Sequence, residues 1–212
     1  LKDLTKGKYF YQVSLNGNPL ADVSLEDLHP DYILITHGHS DHIGDMLAIA
    51  QANKATIIAI AEVATYAQSQ GVKAHGMNLG GRYVFPFGSV KFVPALHSSG
   101  YEIDDVMTYM GEASGIILEA EDKKIYHAGD TALFSDMRLF AKDKSIDVAF
   151  LPIGDNYTMG PEDALQAVSY LNPKITIPIH YNTFPVIQQN PAIFVEQVVG
   201  GKVLNPGETI LV

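Results

Sequence analysis

The sequence predicts an α+β domain in which two β-sheets pack face to face and helices cover the outer faces. Short apolar runs alternate with amphipathic stretches along the 212 residues. No linker or repeat divides them, so we expect a single domain over residues 1–212. Two segments have the pattern of β-hairpins, which favours mixed or antiparallel sheets over one parallel sheet. Two such sheets bury their apolar faces against each other and beneath helices.

The first half of the chain alternates strands with helices. Residues 31–36 (DYILIT) and 55–60 (ATIIAI) are apolar runs with the length of buried strands. Residues 45–53 (DMLAIAQAN) place apolar side chains at helical spacing. Residues 62–71 (EVATYAQSQG) predict a second helix, which Gly71 ends. This half therefore supplies both element types that a layered arrangement requires.

The second half of the chain is richer in strands. Hairpins are predicted over residues 83–96 and 115–130, the second with a charged turn at Glu121 to Lys124. In residues 160–171 (GPEDALQAVSYL), Pro161 suits the first position of a helix, and the acidic residues after it suit the positive end of the helix dipole. The remaining predicted elements are strands over 147–154 and 174–180, a short helix near 191–199, and closing β segments to Val212.

The composition limits the classes of function. The net charge is -10 and no basic cluster is present, whereas binding through phosphates needs a basic face, so nucleic acid is not an expected partner. The sequence has neither an apolar run near 18 residues nor the pattern of a signal peptide, so we expect no membrane partner and a cytoplasmic location. Because cysteine is absent, His, Asp or Glu must hold any metal.

The strongest local motif is residues 35–45 (ITHGHSDHIGD), which follows the first predicted strand. His37 and His39 stand two residues apart on an extended segment, so both imidazoles point the same way and can reach one ion. Asp41 and His42 open the next helix, where Asp41 can also turn inward as a ligand. Asp45 is most simply an acidic residue of the first helical turn. The motif predicts a metal site.

Other predicted strands also end in candidate ligands, namely His97, Asp130 and His180. A lone histidine after an apolar run is often a hydrogen-bonded core residue, but the recurrence at several strand ends favours a shared metal site. His127 stands one step inside its strand and is interpreted as a supporting or core residue. His29 and His75 lie in polar segments and are predicted to be solvated.

These motifs together resemble the metallo-β-lactamase superfamily, in the order His37-x-His39-x-Asp41-His42, His97, Gly129-Asp130-Thr131 and His180. Further segments are similar to one branch, the metal-dependent hydrolases similar to L-ascorbate-6-phosphate lactonase. These segments are GNPL (17–20), IAEVATY (60–66), HGMNLGG (75–81), YHAGDTALF (126–134), TMGPEDA (158–164) and PIHYNTFP (178–185). The resemblance covers about residues 16–212 and implies a four-layer αββα sandwich, the metallo-β-lactamase fold.

The resemblance also implies seven ligands shared between two divalent metal ions. The first ion is held by His37, His39 and His97. The second is held by Asp41, His42 and His180, and Asp130 bridges both. Imidazole and carboxylate ligands suit zinc or manganese, with iron or nickel as alternatives.

The implied activity is hydrolysis of a small ester, lactone or phosphate-containing molecule. A water between two such ions loses its proton near neutral pH, because coordination lowers its pKa to about 7. The resulting bridging hydroxide attacks a carbonyl or phosphoryl group, and Asp41 and Asp130 act as catalytic residues that orient it. Ser40 and Ser98 lie beside ligands, but neither stands in the sharp strand-to-helix turn of a serine hydrolase.

Residues near the ligands are candidates for binding the substrate. Asp155, Asn156 and Tyr157 precede the helix over 160–171, and a helix N-terminus attracts a phosphate or carboxylate. An ordinary capped loop explains them equally well. Directly after the last ligand come Tyr181, Asn182 and Thr183, which could line the pocket or pack within a loop.

Alternative functions stay open on the same resemblance. A metal-dependent oxidoreductase similar to sulfur dioxygenases keeps the histidines, whereas diiron flavoproteins place an acidic ligand where His39 stands. A nuclease is disfavoured by the acidic balance of the chain. A non-catalytic metal-binding protein is the remaining alternative.

Residues 1–16 (LKDLTKGKYFYQVSLN) depart from the family pattern. The family opens with two strands that carry Gly-His-Ser-like and Asp-Pro segments, and neither is present here. We therefore expect atypical edge strands in the first sheet and lower stability than in a relative with the family-type start. An uncovered edge would also favour a homo-oligomer.

Overall fold

The computed structural model describes residues 28–212, and its first sheet contains three parallel strands in the order β1-β2-β3. The strands are Tyr32–Leu34 (β1), Thr56–Ile60 (β2) and Ala74–Met77 (β3). The central strand β2 is rich in β-branched residues, which suit a pleated and buried surface, and four of its five residues are buried. Beyond β1 the chain stays extended, because the N–H of Ile35 donates to the carbonyl of Ile58.

The second sheet is mixed, and the described part of the chain contributes six strands to it in the order β11-β10-β9-β8-β5-β4. Its strands are Arg82–Phe85 (β4), Gly88–Pro94 (β5), Ser114–Ala120 (β8), Lys123–His127 (β9), Val148–Pro152 (β10) and Ile175–Ile179 (β11). The pairs β4–β5 and β8–β9 are the two predicted hairpins, whereas β9, β10 and β11 run parallel. Between β5 and β8 the strands Gly100–Ile103 (β6) and Val106–Tyr109 (β7) form a separate hairpin.

Within residues 28–212, five α-helices and two short 3-10 helices accompany the strands. The α-helices are Ser40–Ile43 (α1), Met46–Asn53 (α2), Ala61–Ser69 (α3), Pro161–Leu171 (α4) and Pro191–Glu196 (α5), and the 3-10 helices are Ser135–Leu139 and Pro185–Ile187. The helix α4 begins as predicted, with Pro161 in its first turn beside two acidic residues. Among the described residues no helix is both long enough and apolar enough to cross a membrane.

Two hydrophobic clusters show the layer order. The first joins Ile58 of β2 and Val63 of α3 to Phe92 of β5, so the first sheet lies between helices and the second sheet. The second joins the other face of the second sheet, including Leu151, to Ala167 of α4 and to the first 3-10 helix. Burial of one such large apolar side chain stabilises the fold by roughly 1.5–3 kcal/mol. The predicted four-layer αββα sandwich is confirmed.

Several predicted boundaries and elements are wrong. The charged turn is centred on Glu121 and Asp122, whose φ angles are positive, and Lys124 is a buried residue of β9. No strand forms after Gly201, which makes an isolated bridge with Thr176, so the closing β segments to Val212 are absent from the described chain. The reason is a turn at residues 205–208, where Pro206 offers no N–H for a ladder.

Other strands were not predicted. The strand β3 contains His75, whose ring contacts Tyr83 and Phe85, so His75 packs against aromatic rings in place of the solvated loop that we expected. The hairpin of β6 and β7 turns at Asp104 and Asp105, both with positive φ. The expectations for residues 1–16, including the atypical edge strands, lie outside the described residues.

Candidate metal centre

The first segment of the centre follows β1. Residues 35–39 form no regular secondary structure, and His39 directly precedes α1 in an extended conformation with φ -69° and ψ 151°. This conformation places His37 and His39 before the helix, and the helix then carries Asp41 and His42. A short run after one strand thus supplies four of the predicted ligands.

The second sheet delivers the other three predicted ligands from three different strands. His97 follows β5, Asp130 follows β9, and His180 comes directly after β11 with a φ of 53°. The carboxyl ends of the parallel strands β9 and β11 lie at one edge of the sheet, so residues distant in sequence meet there. The structure brings all seven predicted ligands together at this edge.

The two sheets are fastened to each other beside the centre. The backbone and hydroxyl of Ser114 in β8 both donate to the carbonyl of Thr36, at 3.0 and 2.7 Å. Gly129, with φ 62°, lies against this junction, and a Cβ there would sit 2.7 Å from the Ser114 carbonyl oxygen. A side chain at position 129 would therefore push Asp130 away from the segment that carries His37.

Three imidazole nitrogens converge in the first group. His39 Nδ1 lies 3.0 Å from His37 Nε2 and 3.2 Å from His97 Nε2. An ion about 2.0–2.1 Å from tetrahedral nitrogen ligands would separate those nitrogens by roughly 3.3 Å. The observed spacing is close to that value, so this group fits one metal ion.

Two carboxylates and two imidazoles form the second group. Asp41 Oδ2 lies 3.4 Å from His42 Nε2 and 3.5 Å from His180 Nε2. Asp130 lies between the groups: its Oδ1 is 3.4 Å from His42 Nε2, and its Oδ2 is 3.1 Å from His180 Nε2 and 3.6 Å from His97 Nε2. The carboxylate of Asp130 therefore contacts both groups and is placed to be shared between two ions.

The two groups differ in protonation. Burial lowers the pKa of His37, His39 and His97, so these rings are neutral near pH 7. Burial acts in the same direction on His42 and His180, but the carboxylates of Asp130 and Asp41 outweigh it. They raise the pKa of His42 to about 9 and that of His180 to about 10.

The two carboxylates of the centre have pKa values that are lowered by the same contacts. Burial alone would raise the pKa of Asp130 and Asp41, yet contact with His180 and His42 holds both pKa values well below the usual range. In the absence of ions, protonated imidazoles thus balance the carboxylates. Among the described residues, the buried atoms His42 Nε2 and His180 Nδ1 make no hydrogen bond. The donor set fits cations, which would replace those protons.

Neighbouring side chains hold the imidazoles. Thr36 Oγ1 lies 3.0 Å from His37 Nδ1, and Ser98 Oγ lies 3.2 Å from His39 Nε2. Ser99 Oγ accepts from the N–H of Gly38, between the two histidines, at 3.0 Å. Sequence reasoning did not predict these contacts, and their one visible sign is that Thr36 and Ser98 each adjoin a predicted ligand.

His127 is placed as expected, outside the cluster. Its Nδ1 accepts from the N–H of Gly129 at 3.0 Å, and its ring stacks on Phe150 with a centroid distance of 5.6 Å. Burial, assisted by the nearby charge of His42, lowers the pKa of His127 to about 4. A neutral His127 therefore supports the turn that carries Asp130.

The first set of predicted substrate residues lies in the loop after β10. Asp155 and Asn156 both have positive φ, and Asp155 Oδ1 accepts from the N–H of Asn156 at 2.8 Å. Tyr157 is 56% exposed. These contacts are internal to the loop, so Asp155 shapes its own turn and all three residues face solvent.

The second set lies after β11 and is divided between the core and the surface. Tyr181 packs against the cluster that contains Ile153 and Phe194. Asn182 is exposed and lines a cavity of about 460 Å³ with residues 188–190, and Thr183 is half-buried nearby. Of this set, Asn182 is the residue best placed to meet a ligand.

Comparison with known proteins gives consistent results at the level of sequence and fold. Residues 12–181 match the family described as Beta-lactamase superfamily domain. The chain is 96% identical over 198 residues to a UPF0173 metal-dependent hydrolase of Enterococcus faecalis, covering 93% of this chain and 88% of that protein. It is 54% identical over 209 residues to a UPF0173 metal-dependent hydrolase of Anoxybacillus flavithermus, covering 97% and 93%.

Among solved structures, the chain resembles Igni18, described as a novel metallo hydrolase from the archaeon Ignicoccus hospitalis. The TM-score is 0.83 with 37% sequence identity, over 91% of this chain and 85% of that one. An isothiocyanate hydrolase from Delia radicum gut bacteria shares the fold, with a TM-score of 0.70 and 22% identity over 92% of this chain and 82% of that one.

Proposed function

Because the chain belongs to the beta-lactamase superfamily and to its UPF0173 metal-dependent hydrolases, we propose that it hydrolyses a small ester, lactone or phosphate-containing molecule at a centre for two divalent ions. The observation that carries this proposal is Asp130. Asp130 is 3% exposed and lies within a cluster of five histidines and a second aspartate. Its Oδ2 contacts His97 of the first group and His180 of the second, and its Oδ1 contacts His42. A buried carboxylate among imidazoles fits cations better than a structural role alone.

The proposed ligands form two sets, and the distances between their side-chain nitrogen and oxygen atoms support this assignment. The first ion is assigned to His37, His39 and His97. The second is assigned to Asp41, His42 and His180, with Asp130 shared. Nitrogen and oxygen donors without thiolate support zinc or manganese, and iron or nickel also suit such donors.

Bound ions of this kind lower the pKa of a coordinated water and polarise the carbonyl or phosphoryl oxygen of a substrate. The chain itself supplies the carboxylates that orient the attacking water. Asp130 is almost completely buried, whereas the Asp41 side chain is 26% exposed and is the carboxylate that solvent reaches. We therefore assign Asp130 to holding the centre together and Asp41 to orienting the attacking water.

The surroundings of His180 support a polar and uncharged part of the substrate. A cavity of about 460 Å³ lies beside the segment that follows this residue and is lined by the carboxamides Asn182, Gln188, Gln189 and Asn190. That volume is within the range of small-molecule sites. Carboxamides both donate and accept hydrogen bonds, which suits hydroxyl and carbonyl groups.

The central test combines metal analysis with a panel of lactone, thioester and phosphodiester substrates. We expect two ions per chain and turnover of at least one class, lost in His42→Ala. Fewer than one ion per chain after purification with added metal would contradict the metal centre. Full loading without turnover would support a non-catalytic metal-binding protein, and oxygen consumption with a persulfide would support the oxidoreductase.

The cavity is tested separately through Asn182→Leu. With the best substrate of the panel, we expect KM to rise about tenfold while kcat and metal content stay near the wild-type values, because lost ground-state contacts act on KM. Asn172→Leu, at the exposed end of α4, is the matched control. An unchanged KM in Asn182→Leu would remove the cavity from the proposal without affecting the metal centre.

A further inference from the structure

Ser98 is an exposed serine beside the first group of imidazoles. Its Oγ lies 3.2 Å from His39 Nε2, on the side of the ring opposite the cluster. The other ring nitrogen, Nδ1, faces the Nε2 atoms of His37 and His97. Ser98 thus touches the one nitrogen of His39 that does not face those two imidazoles.

The protonation chemistry of imidazole then fixes the direction of this contact. A neutral imidazole carries one proton, and only the unprotonated nitrogen can bind an ion. If Nδ1 of His39 is the ligand, its proton must sit on Nε2. That N–H points at Ser98 Oγ, which accepts it. A second partner of this kind orients the ring of a ligand and selects its tautomer.

Ser98 is held in place from both sides. On one side, the N–H of Leu96 donates to Thr131 Oγ1 at 3.0 Å. On the other side, Ser99 Oγ accepts from the N–H of Gly38 at 3.0 Å and donates to the carbonyl of Met110 at 3.3 Å. The backbone around position 98 is therefore fixed against the segment that carries His39.

We infer that Ser98 is a positioning residue, which keeps His39 in the tautomer and orientation that present Nδ1 to a metal ion. This inference rests on the proposed metal centre and concerns its first ion alone. The same segment would then supply one ligand, His97, and orient another, His39. The contact of Thr36 with His37 has the same form, but Thr36 is buried and also lies at the junction between the sheets. Ser98 is the cleaner position to test because its side chain is exposed.

The experiment measures the affinities of both ions by competition with a chromophoric chelator, using Zn²⁺ and Co²⁺. We expect Ser98→Ala to weaken one of the two ions by 10- to 100-fold, as removal of such a partner does at other histidine sites. Ser98→Thr keeps the hydroxyl and should restore the affinity and the Co²⁺ absorption spectrum. Ser135→Ala, in an exposed 3-10 helix, is the control and should match the wild type.

Three results would overturn the inference. Wild-type affinities in Ser98→Ala would show that the contact is not needed, and equal weakening in the Ala and Thr variants would show that the hydroxyl is not responsible. Lost turnover with both affinities intact would make Ser98 a catalytic residue and not a positioning residue. Failure of the wild-type chain to bind either ion would instead refute the proposed centre itself, which separates the two proposals.

Discussion

The two ends of the parallel strands β9, β10 and β11 use charged residues in opposite ways. At their beginning, Asp147 accepts from Lys174 Nζ at 2.7 Å and from the N–H of Lys124 at 2.8 Å. The Lys124 ammonium is buried there and donates to the carbonyls of Phe140 and Lys144. Asp147, Lys124 and Lys174 therefore each have a partner within the chain.

At the other end of the same strands, the acids face imidazoles that can lose their protons. Asp130 follows β9 and His180 follows β11, and both join Asp41 and His42. This end is balanced only while His42 and His180 remain protonated, or while cations take the place of those protons. The difference teaches that a buried carboxylate is satisfied within the fold where a backbone N–H and a permanently charged lysine meet it. A buried carboxylate can instead form a cation site where histidine supplies the balancing charge only while it is protonated.

The sharpest way to separate the two ends is Asp130→Ala. We expect kcat/KM to fall by about 10³-fold or more, because the substitution removes the carboxylate shared by both groups and its charge stabilisation. Steady-state assays and metal analysis of the purified variant measure the effect. Asp136→Ala, an exposed residue of the first 3-10 helix, is the control. Activity within tenfold of the wild type would contradict the assignment of the metal centre to the carboxyl ends of these strands.

The converse substitution is Asp147→Ala. We expect the free energy of unfolding to fall by about 2 kcal/mol, since the buried N–H of Lys124 loses its acceptor. The ion pair adds little because the Lys174 side chain is 64% exposed. Denaturant titration of the metal-free protein measures the loss, and kcat should stay within about twofold of wild type.

Asp143→Ala provides the control for this stability measurement, because Asp143 is exposed in the loop just before β10. The comparison between the ends would fail if Asp147→Ala lost metal or activity as strongly as Asp130→Ala. It would also fail if the unfolding free energy did not change.

The third prediction concerns the metal-free protein at alkaline pH. The pKa of His42 is about 9 and that of His180 about 10 in the folded state, against about 6.5 when unfolded. The folded state therefore binds more protons, and the stabilisation is complete below pH 6.5 and lost as pH rises through 9 and 10. We expect at least about 1 kcal/mol to be lost between pH 7 and pH 10 in the presence of a chelator.

Asp130→Asn tests the cause of that loss. The substitution removes a carboxylate that raises both imidazole pKa values, so its stability should depend less on pH over the same range. Unfolding curves at several pH values measure both slopes. Equal slopes in the wild type and the variant would show that the imidazoles are not responsible.

The smallest expected effect is a change in stability at acid pH, which comes from Asp147 at the beginning of the parallel strands. Burial would raise the pKa of Asp147, but Lys174 and the N–H of Lys124 outweigh it and lower the pKa. The stabilisation is therefore present above the unfolded value of about 3.9 and is lost as pH falls through the folded value. The stability difference between wild type and Asp147→Asn should shrink below about pH 4. A constant difference down to pH 2 would contradict this assignment.

The sequence was sufficient to predict the residues that converge in the site. His97, Asp130 and His180 each follow an apolar run, and an apolar run is a local signal that marks the end of a strand. These residues meet because β5, β9 and β11 run in the same direction, so their carboxyl ends lie at one edge of the sheet. The position of the seven clustered side chains was therefore predictable, although their hydrogen bonds to Ser98 and Ser99 were not.

The remaining features depend on contacts between distant segments. The strand β3 has no alternating pattern and forms because it pairs with β2, with His75 against Tyr83 and Phe85. Lys124 was predicted in a charged turn because local composition cannot show that Asp147 and carbonyl groups surround it. Propensity is a weak guide wherever tertiary pairing determines the outcome.

The junction between Thr36 and Ser114 has a consequence for dynamics. His37 and His39 follow the first sheet, whereas His97, Asp130 and His180 follow strands of the second. Ions held by both sets would cross-link the two halves of the sandwich, and an ion could leave only when that edge opens. The rate of metal exchange would then follow the local opening that amide hydrogen exchange measures in β1 and β8.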